Sequence, residues 1–367
     1  MQLFPRTWAE ISLDALRWNL RQIRSKLPPR TLLALVVKAD AYGHGLIPIA
    51  RAASNFGADW IAVATVQEGI ALREAGIEAP ILVLAPALPI EAQQVVFYEL
   101  SSLVESLQTA EAISHAATQQ GRIAKIHLKI DTGMARFGVQ PEEAVKFAES
   151  IIAMPNVRLE GIASHFANAA FSNEYTQWQY ERFQKALCEI KERNIHPEII
   201  HIGNSAALVN FPEAMNYNMV RIGILAYGIT HVGDPGFEIR PVLRWKARIM
   251  AMRELEAGSF IGYNCTYRTS SKARIATLGV GYGDGYHRAL SNKGFVMLHG
   301  KPCPIRGLVC MDQIMVETTH VPEAKVGDEA ILLGPELNAV ELAKIVGTTP
   351  HEITTRIMSR VPRYYIS

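Results

Sequence analysis

The sequence predicts an α/β protein, a (β/α)8 barrel of the TIM type followed by a mostly antiparallel β domain. From Thr31 onward, short apolar strand-like runs alternate with amphipathic helical stretches, the signature of repeated parallel βα units. After Tyr227-Gly228 the alternation stops. Gly233-Asp234-Pro235-Gly236 makes a turn-rich break, and strand-like runs then follow one another with no helix until Asn338. The expected division is residues 10–232 for the barrel and 233–367 for the β domain, to which residues 1–9 could belong.

Taken in order, residues 8–11 precede a helical stretch, 13–27, and could add a strand to either domain. Residues 32–37 are six apolar residues in a row, as a strand buried on both faces requires. Seven further candidates follow at 60–66, 81–84, 102–105, 125–131, 159–166, 199–202 and 219–225, separated by helical patterns such as 46–56, 66–74, 109–119, 142–152 and 173–193. Eight strands with crossovers close a barrel, whose catalytic end is the carboxyl end of its strands. An open dinucleotide-binding sheet is disfavoured: Gly279, Gly281, Gly283 and Gly285 only imitate its fingerprint, because Asp284 and Tyr286 interrupt the spacing. Beyond the break, residues 243–252, 274–280, 295–298, 304–310, 314–317 and 329–333 read as strands and 338–346 as a helix.

With 367 residues, half of them apolar, and a net charge of +2, the chain can fill two cores and has no basic surplus for nucleic acid. The N-terminus lacks a charged region followed by an apolar one, and no apolar segment reaches the ~18 residues that span a bilayer, so a soluble, cytoplasmic protein is expected. Cys188, Cys265, Cys303 and Cys310 form no Cys-x-x-Cys pair, and no zinc-type histidine spacing occurs, so no catalytic metal is expected.

Lys38 ends the first barrel strand and runs straight into Ala41-Tyr42-Gly43-His44-Gly45. An isolated strand-end lysine is ordinarily a solvated charge. In a barrel mouth, desolvation instead disfavours the ammonium and frees an amine for nucleophilic or base chemistry. In the strand 125–131, Ile126, Leu128 and Ile130 alternate toward one side, leaving His127, Lys129 and Asp131 on the other. An inward Lys129 is costly unless paired, and Asp131 is the nearest partner. His165 in Ser164-His165-Phe166 reads alone as a core histidine. His201-Ile202-Gly203-Asn204-Ser205-Ala206-Ala207 reads as a strand entering a short helix, whose first amides could hold a phosphate or simply be capped by Asn204 or Ser205.

From Trp8-Ala9-Glu10-Ile11 to Arg360-Val361-Pro362-Arg363, and above all around Lys38, the chain resembles the alanine racemase family. The resemblance implies interconversion of L- and D-alanine, supplying peptidoglycan synthesis, on pyridoxal 5'-phosphate joined to Lys38 as a Schiff base. By the same resemblance Tyr42, His165, Asn204, Ser205, Arg221, Gly223 and Ile224 surround the cofactor, Arg136 and the Met311 amide take the substrate carboxylate, and a carbamylated Lys129 orients Arg136. His201 supports the site, and Tyr282 and Arg288 line the entry corridor. Arg221 would face the ring nitrogen; a guanidinium donates without giving up its proton, which weakens the ring as an electron sink and favours racemisation over transamination.

One base serves one face of the α-carbon, and the resemblance makes Tyr263 the second base. Phenol is a poor base, so hydrogen bonds to His165 are expected to activate it. The Tyr263 and Met311 segments are expected to reach across a head-to-tail homodimer. Two departures stand out: Ser359 where many relatives have a tyrosine before the Arg-Val-Pro-Arg run, leaving room for serine as a poorer substrate, and Leu308 where an arginine is familiar. The alternatives are a barrel that carries the cofactor without turnover, against which the second domain counts, and a decarboxylase, for which a carboxylate in place of Arg221 would be expected.

Overall fold

Strands covered on both faces are mostly apolar, and in the eight barrel strands the buried polar exceptions, among them His127, Lys129, Glu160, His201 and Arg221, are the residues that build the interior network and the site. The computed structural model describes residues 4–171 and 173–367; residues 1–3 of the segment 1–9 lie outside the described residues. The barrel strands are β2 (Leu32–Val36), β3 (Trp60–Val63), β4 (Ile81–Val83), β5 (Ser101–Val104), β6 (Ala124–Lys129), β7 (Val157–Ala163), β8 (Ile199–His201) and β9 (Met219–Ile222), all parallel, in the order β8-β7-β6-β5-β4-β3-β2-β9. The seam between β8 and β9 closes through the Arg221 amide, which donates to Gly203 O at 3.1 Å.

Several strands stop earlier than the apolar runs suggest, for local reasons. The expected strand 60–66 ends at Val63 because Thr65 caps the helix Val66–Glu74, with Glu68 returning bonds to the cap. Residues 204–225 likewise divide into a short helix, Ser205–Asn210, and β9.

The second sheet is mostly antiparallel, in the order β15-β14-β17-β10-β1-β18, with β13 also pairing with β10 and β16 pairing with β13. Its members are β1 (Thr7–Ser12), β10 (Leu243–Leu255), β13 (Ala273–Leu278), β14 (Phe295–Leu298), β15 (Lys301–Pro304), β16 (Ile314–Glu317), β17 (Glu329–Leu333) and β18 (Arg363–Ile366), while β11 (Phe260–Ile261) and β12 (Tyr267–Arg268) form a separate two-stranded ladder. Residues 10–12, grouped with the barrel on sequence grounds, pair here instead: β1 runs antiparallel to β10 and parallel to β18. The expected strand 304–310 is displaced to Lys301–Pro304, an edge position that tolerates prolines, and Gly307 at φ 79° then turns the chain. One continuous apolar core runs from the barrel into this sheet. Among the described residues, no helix is long and apolar enough to cross a membrane.

The second domain reaches back to clasp the turn after Lys38. Arg363 donates to Gly43 O at 3.2 Å through both Nε and Nη2, and a Cβ on Gly43, whose φ is +84°, would lie 2.1 Å from Thr354 O. Gly43→Ala is therefore expected to destabilise the protein by about 2 kcal/mol or more, read as a lower urea midpoint at unchanged slope.

Candidate active site

Neighbouring barrel strands bring the pieces together. β2 and β9 pair with Ala34 opposite Arg221 and Leu35 opposite Ile222, so Lys38 and the Gly223-Ile224 turn leave the barrel side by side. Between Lys38 and Gly43 the backbone makes a left-handed turn, with Ala39, Asp40, Ala41 and Tyr42 at φ of 52°, 54°, 51° and 56°. Each costs roughly 1 kcal/mol relative to a right-handed turn, so the surroundings must impose it. They do: Glu68 Oε1 accepts from the Ala39 amide at 2.7 Å, Asp40 Oδ1 from the Leu46 amide at 2.8 Å, and Tyr365 Oη donates to His44 O at 3.1 Å.

A cavity of about 600 Å³ opens at this end of the barrel, and Lys38, Lys129, Arg136 and Arg221 line it with no carboxylate among the described lining residues. The nearby acids are committed to backbone. Asp131 Oδ1 accepts from the amides of Gly133, Met134 and Ala135, and Glu68 from those of Ala39, Ala64 and Thr65. The ion pair expected between Lys129 and Asp131 is thus absent among the described residues; Lys129 Nζ donates to Ile130 O at 3.1 Å. Burial, then Arg221, brings the Lys129 amine down to about 7, and burial and Arg136 also lower Lys38. A cavity of about 610 Å³ elsewhere, beside His44 and Tyr227, is lined by none of these four cations, and its Lys344 is accompanied by the carboxylate of Glu341.

The cationic cavity also receives Tyr42, His165, Asn204, Ser205, Gly223 and Ile224. Asn204 Oδ1 caps the Ala207 amide at 2.9 Å, and Ser205 Oγ accepts the Gly223 amide at 3.1 Å, leaving its own proton to donate. A Cβ on Gly223 would stand 2.4 Å from Tyr42 Oη, so any larger residue there would have to push the Tyr42 ring aside. Arg221 donates through Nη2 to Ser164 O and to His165 Nδ1, each at 2.9 Å, and through Nη1 to His201 Nδ1. Burial and then Arg221 drive His165 and His201 well below the usual histidine range, so both rings are neutral.

Tyr263 is 70% exposed on a turn of the second domain, Met311 and Arg288 are exposed, and Tyr282 is 39% exposed. None of them lines the cavity of its own chain; His165 Nδ1 is bonded to Arg221. Ser359 and Leu308 also lie elsewhere: Ser359 is exposed outside the cavity, and Leu308 packs beside Gly262 at the base of the Tyr263 turn. The wall next to Tyr42 is filled instead by His351, 5.7 Å away between ring centroids, with His231 stacked edge-on against it at 4.9 Å. Neither histidine stood out in the sequence, since each follows a loop with no strand-end signal.

The anionic demand of the cavity, a dianion beside Ser205 and Gly223 and a carboxylate near Arg136, fits a phosphate-bearing cofactor and an amino acid. A family model described as alanine racemase, N-terminal domain, matches residues 11–231, and one described as alanine racemase, C-terminal domain, matches residues 242–365. An alanine racemase of Halothermothrix orenii is 41% identical over 366 residues, covering 98% of this chain and 96% of that protein. Among solved structures, the alanine racemase of Clostridium difficile 630 superposes with a TM-score of 0.94 at 38% identity, covering 100% of this chain and 97% of the other. That of Bartonella henselae, described with covalently bound pyridoxal phosphate, gives 0.90 at 28% identity, with 99% and 100% covered.

Proposed function

The chain belongs to the alanine racemase family, and from that premise we propose how its residues divide the interconversion of L-alanine and D-alanine. The activity is a pyridoxal-phosphate-dependent isomerisation, and its general role is to supply D-alanine for peptidoglycan. The observation that carries the reading is the cavity lined by Lys38, Lys129, Arg136 and Arg221 without a carboxylate, a charge that a phosphate and an α-carboxylate together neutralise.

Pyridoxal phosphate, when bound, supplies a conjugated electron-withdrawing ring that makes the α-proton of a linked amino acid acidic. Lys38 would hold it covalently; Ser205, Tyr42, Asn204 and the Gly223 and Ile224 amides would take its phosphate; His165 would pack on the ring and Arg221 face its nitrogen. Arg136 fixes the substrate carboxylate with its planar fork, so the α-hydrogen stands at the Lys38 amine. Once the substrate's own amino group has taken its place on the cofactor, the freed Lys38 amine, lowered by burial and by Arg136, would exchange a proton with one face of the α-carbon. Tyr263 of a second copy exchanges one with the other face, the Met311 amide of that copy joins Arg136 at the carboxylate, and Tyr282 and Arg288 line the way in. The exposure of Tyr263 and Met311 supports this head-to-tail homodimer. We assign residues 13–232 to the barrel unit and the rest to the β unit, and place the enzyme in the cytoplasm.

Incubating the purified protein with L-alanine and following optical rotation tests the reading: decay to zero rotation is expected, and a stable signal from cofactor-loaded protein would sink it. Lys129 carries a second expectation. At about 7 its amine is substantially free near neutral pH, so its nitrogen lone pair can add to the carbon of CO2 and release a proton, leaving an anionic carbamate. With 13C-bicarbonate, a carbamate resonance is expected that fades as pH falls below about 7 and is missing in Lys129→Ala. A persistent signal in that variant would place the carbamate elsewhere.

A further inference from the structure

Beneath Arg221, a chain of hydrogen bonds runs the length of the barrel interior without touching the reacting groups. Arg221 Nη1 meets His201 Nδ1; His201 Nε2 lies 2.9 Å from His127 Nδ1; His127 Nε2 lies 3.2 Å from Glu160 Oε2. Ser101 Oγ donates to the same carboxylate oxygen at 2.6 Å, and Lys125 Nζ stands 3.4 Å from Oε1. Every member from Arg221 to Ser101 is buried, the two histidines completely.

The backbone is shaped to admit this chain. β6 and β7 pair Ile126 with Leu159 and then His127 with Gly161, so Glu160 is the extra residue of a bulge that turns its side chain inward. Gly161 makes room: a Cβ there would lie 2.5 Å from His127 Nδ1.

The two ends dictate the direction of every proton between them. Arg221 can only donate, so it keeps its place only while His201 Nδ1 is bare and the His201 proton sits on Nε2, an arrangement stabilised at the other end by the Glu160 carboxylate as acceptor. That proton points at His127 Nδ1, which must accept, leaving the His127 proton on Nε2 to be received by Glu160. Burial lowers both histidines below their usual range, Arg221 reinforcing this at His201, so neither becomes an imidazolium. Burial raises Glu160, but the bonds from His127 and Ser101 outweigh it and hold the carboxylate at about 2. Were the Glu160 position to donate instead, the whole series would reverse. His201 would then present Nδ1–H to an arginine N–H, two donors face to face, and the guanidinium would be displaced.

We propose that Glu160, at the far end of the barrel from Lys38, is a positioning residue that fixes the tautomers of His127 and His201 and thereby locks Arg221 in its place at the cavity floor. Its effect on racemisation rests on the reading that Arg221 faces the cofactor ring; its effect on the tautomers does not.

The test is 15N NMR of the histidine-labelled holoenzyme at neutral pH. Both His127 and His201 are expected to carry their proton on Nε2 with a bare Nδ1, and a proton on Nδ1 of either ring, or an imidazolium, overturns the proposal. In Glu160→Met, which has no acceptor oxygen, both tautomers should be populated and kcat should fall about tenfold with the KM for alanine within about twofold, the loss of one buried hydrogen-bond partner. Glu160→Gln, which retains an acceptor oxygen, should restore the wild-type tautomers; tautomers unchanged in Glu160→Met overturn the idea. Scrambled tautomers with unchanged kcat and cofactor absorbance support the relay and count instead against Arg221 at the ring.

Discussion

Lys38→Ala is expected to lower kcat/KM for L-alanine and D-alanine alike by about 10⁴-fold or more, because the one amine both anchors the cofactor and exchanges a proton with the substrate. The loss should be symmetric. An assay in each direction by coupled oxidation of the product, with the cofactor in excess, separates this from weak cofactor retention. The surroundings of Lys38 support the size of the effect: the four left-handed residues that follow it, braced by Glu68, Asp40 and Tyr365, fix its place at the cavity wall. Residual activity within a hundredfold of wild type in both directions would remove Lys38 from the centre of the site.

Tyr263→Phe should slow racemisation by about 10²- to 10⁴-fold, the usual range for a positioned acid–base group. Where that tyrosine acts can be read from a mixture. If Tyr263 serves a partner's cavity, a Lys38→Ala chain and a Tyr263→Phe chain, each nearly inactive, form one intact site in every mixed dimer, from the lysine of one copy and the tyrosine of the other. Refolding or co-expressing equal amounts should then recover about a quarter of wild-type activity, since half the dimers are mixed and half their sites complete. If each chain completed its own cavity, the mixture would stay inactive. The 70% exposure of Tyr263 favours the first result.

The barrel was legible because short, mostly apolar runs alternate with helical patterns along the first two thirds of the chain. Where a strand ends was less so: the run through residues 60–66 looked continuous although Thr65-Val66-Gln67-Glu68 carried a capping signal inside it. The left-handed turn after Lys38 had no signature, since Ala39, Asp40 and Ala41 are not residues that favour positive φ as glycine does; distant contacts impose it. Lys38, Arg136 and Arg221 were legible as charges at barrel strand ends, but their roles came with the family resemblance. The place of Ser359 came from the resemblance alone; in the structure it lies off the cavity wall, where the helix Pro350–Thr355 presents His351. Glu160 could not be found by alternation at all, because a bulge shifts the period just before it.

The pairing of β1 with β10 and β18 has a consequence for biosynthesis. The first described strand leaves the ribosome long before Leu243–Leu255 and Arg363–Ile366, its partners on either side, have been made. Throughout synthesis of the barrel, Thr7–Ser12 therefore waits with both edges unpaired, a segment inviting association with other nascent chains. The second sheet can close only once Arg363–Ile366 has been made, so the barrel is held ready while its neighbour assembles later, and a product stalled before that point carries that open strand with it.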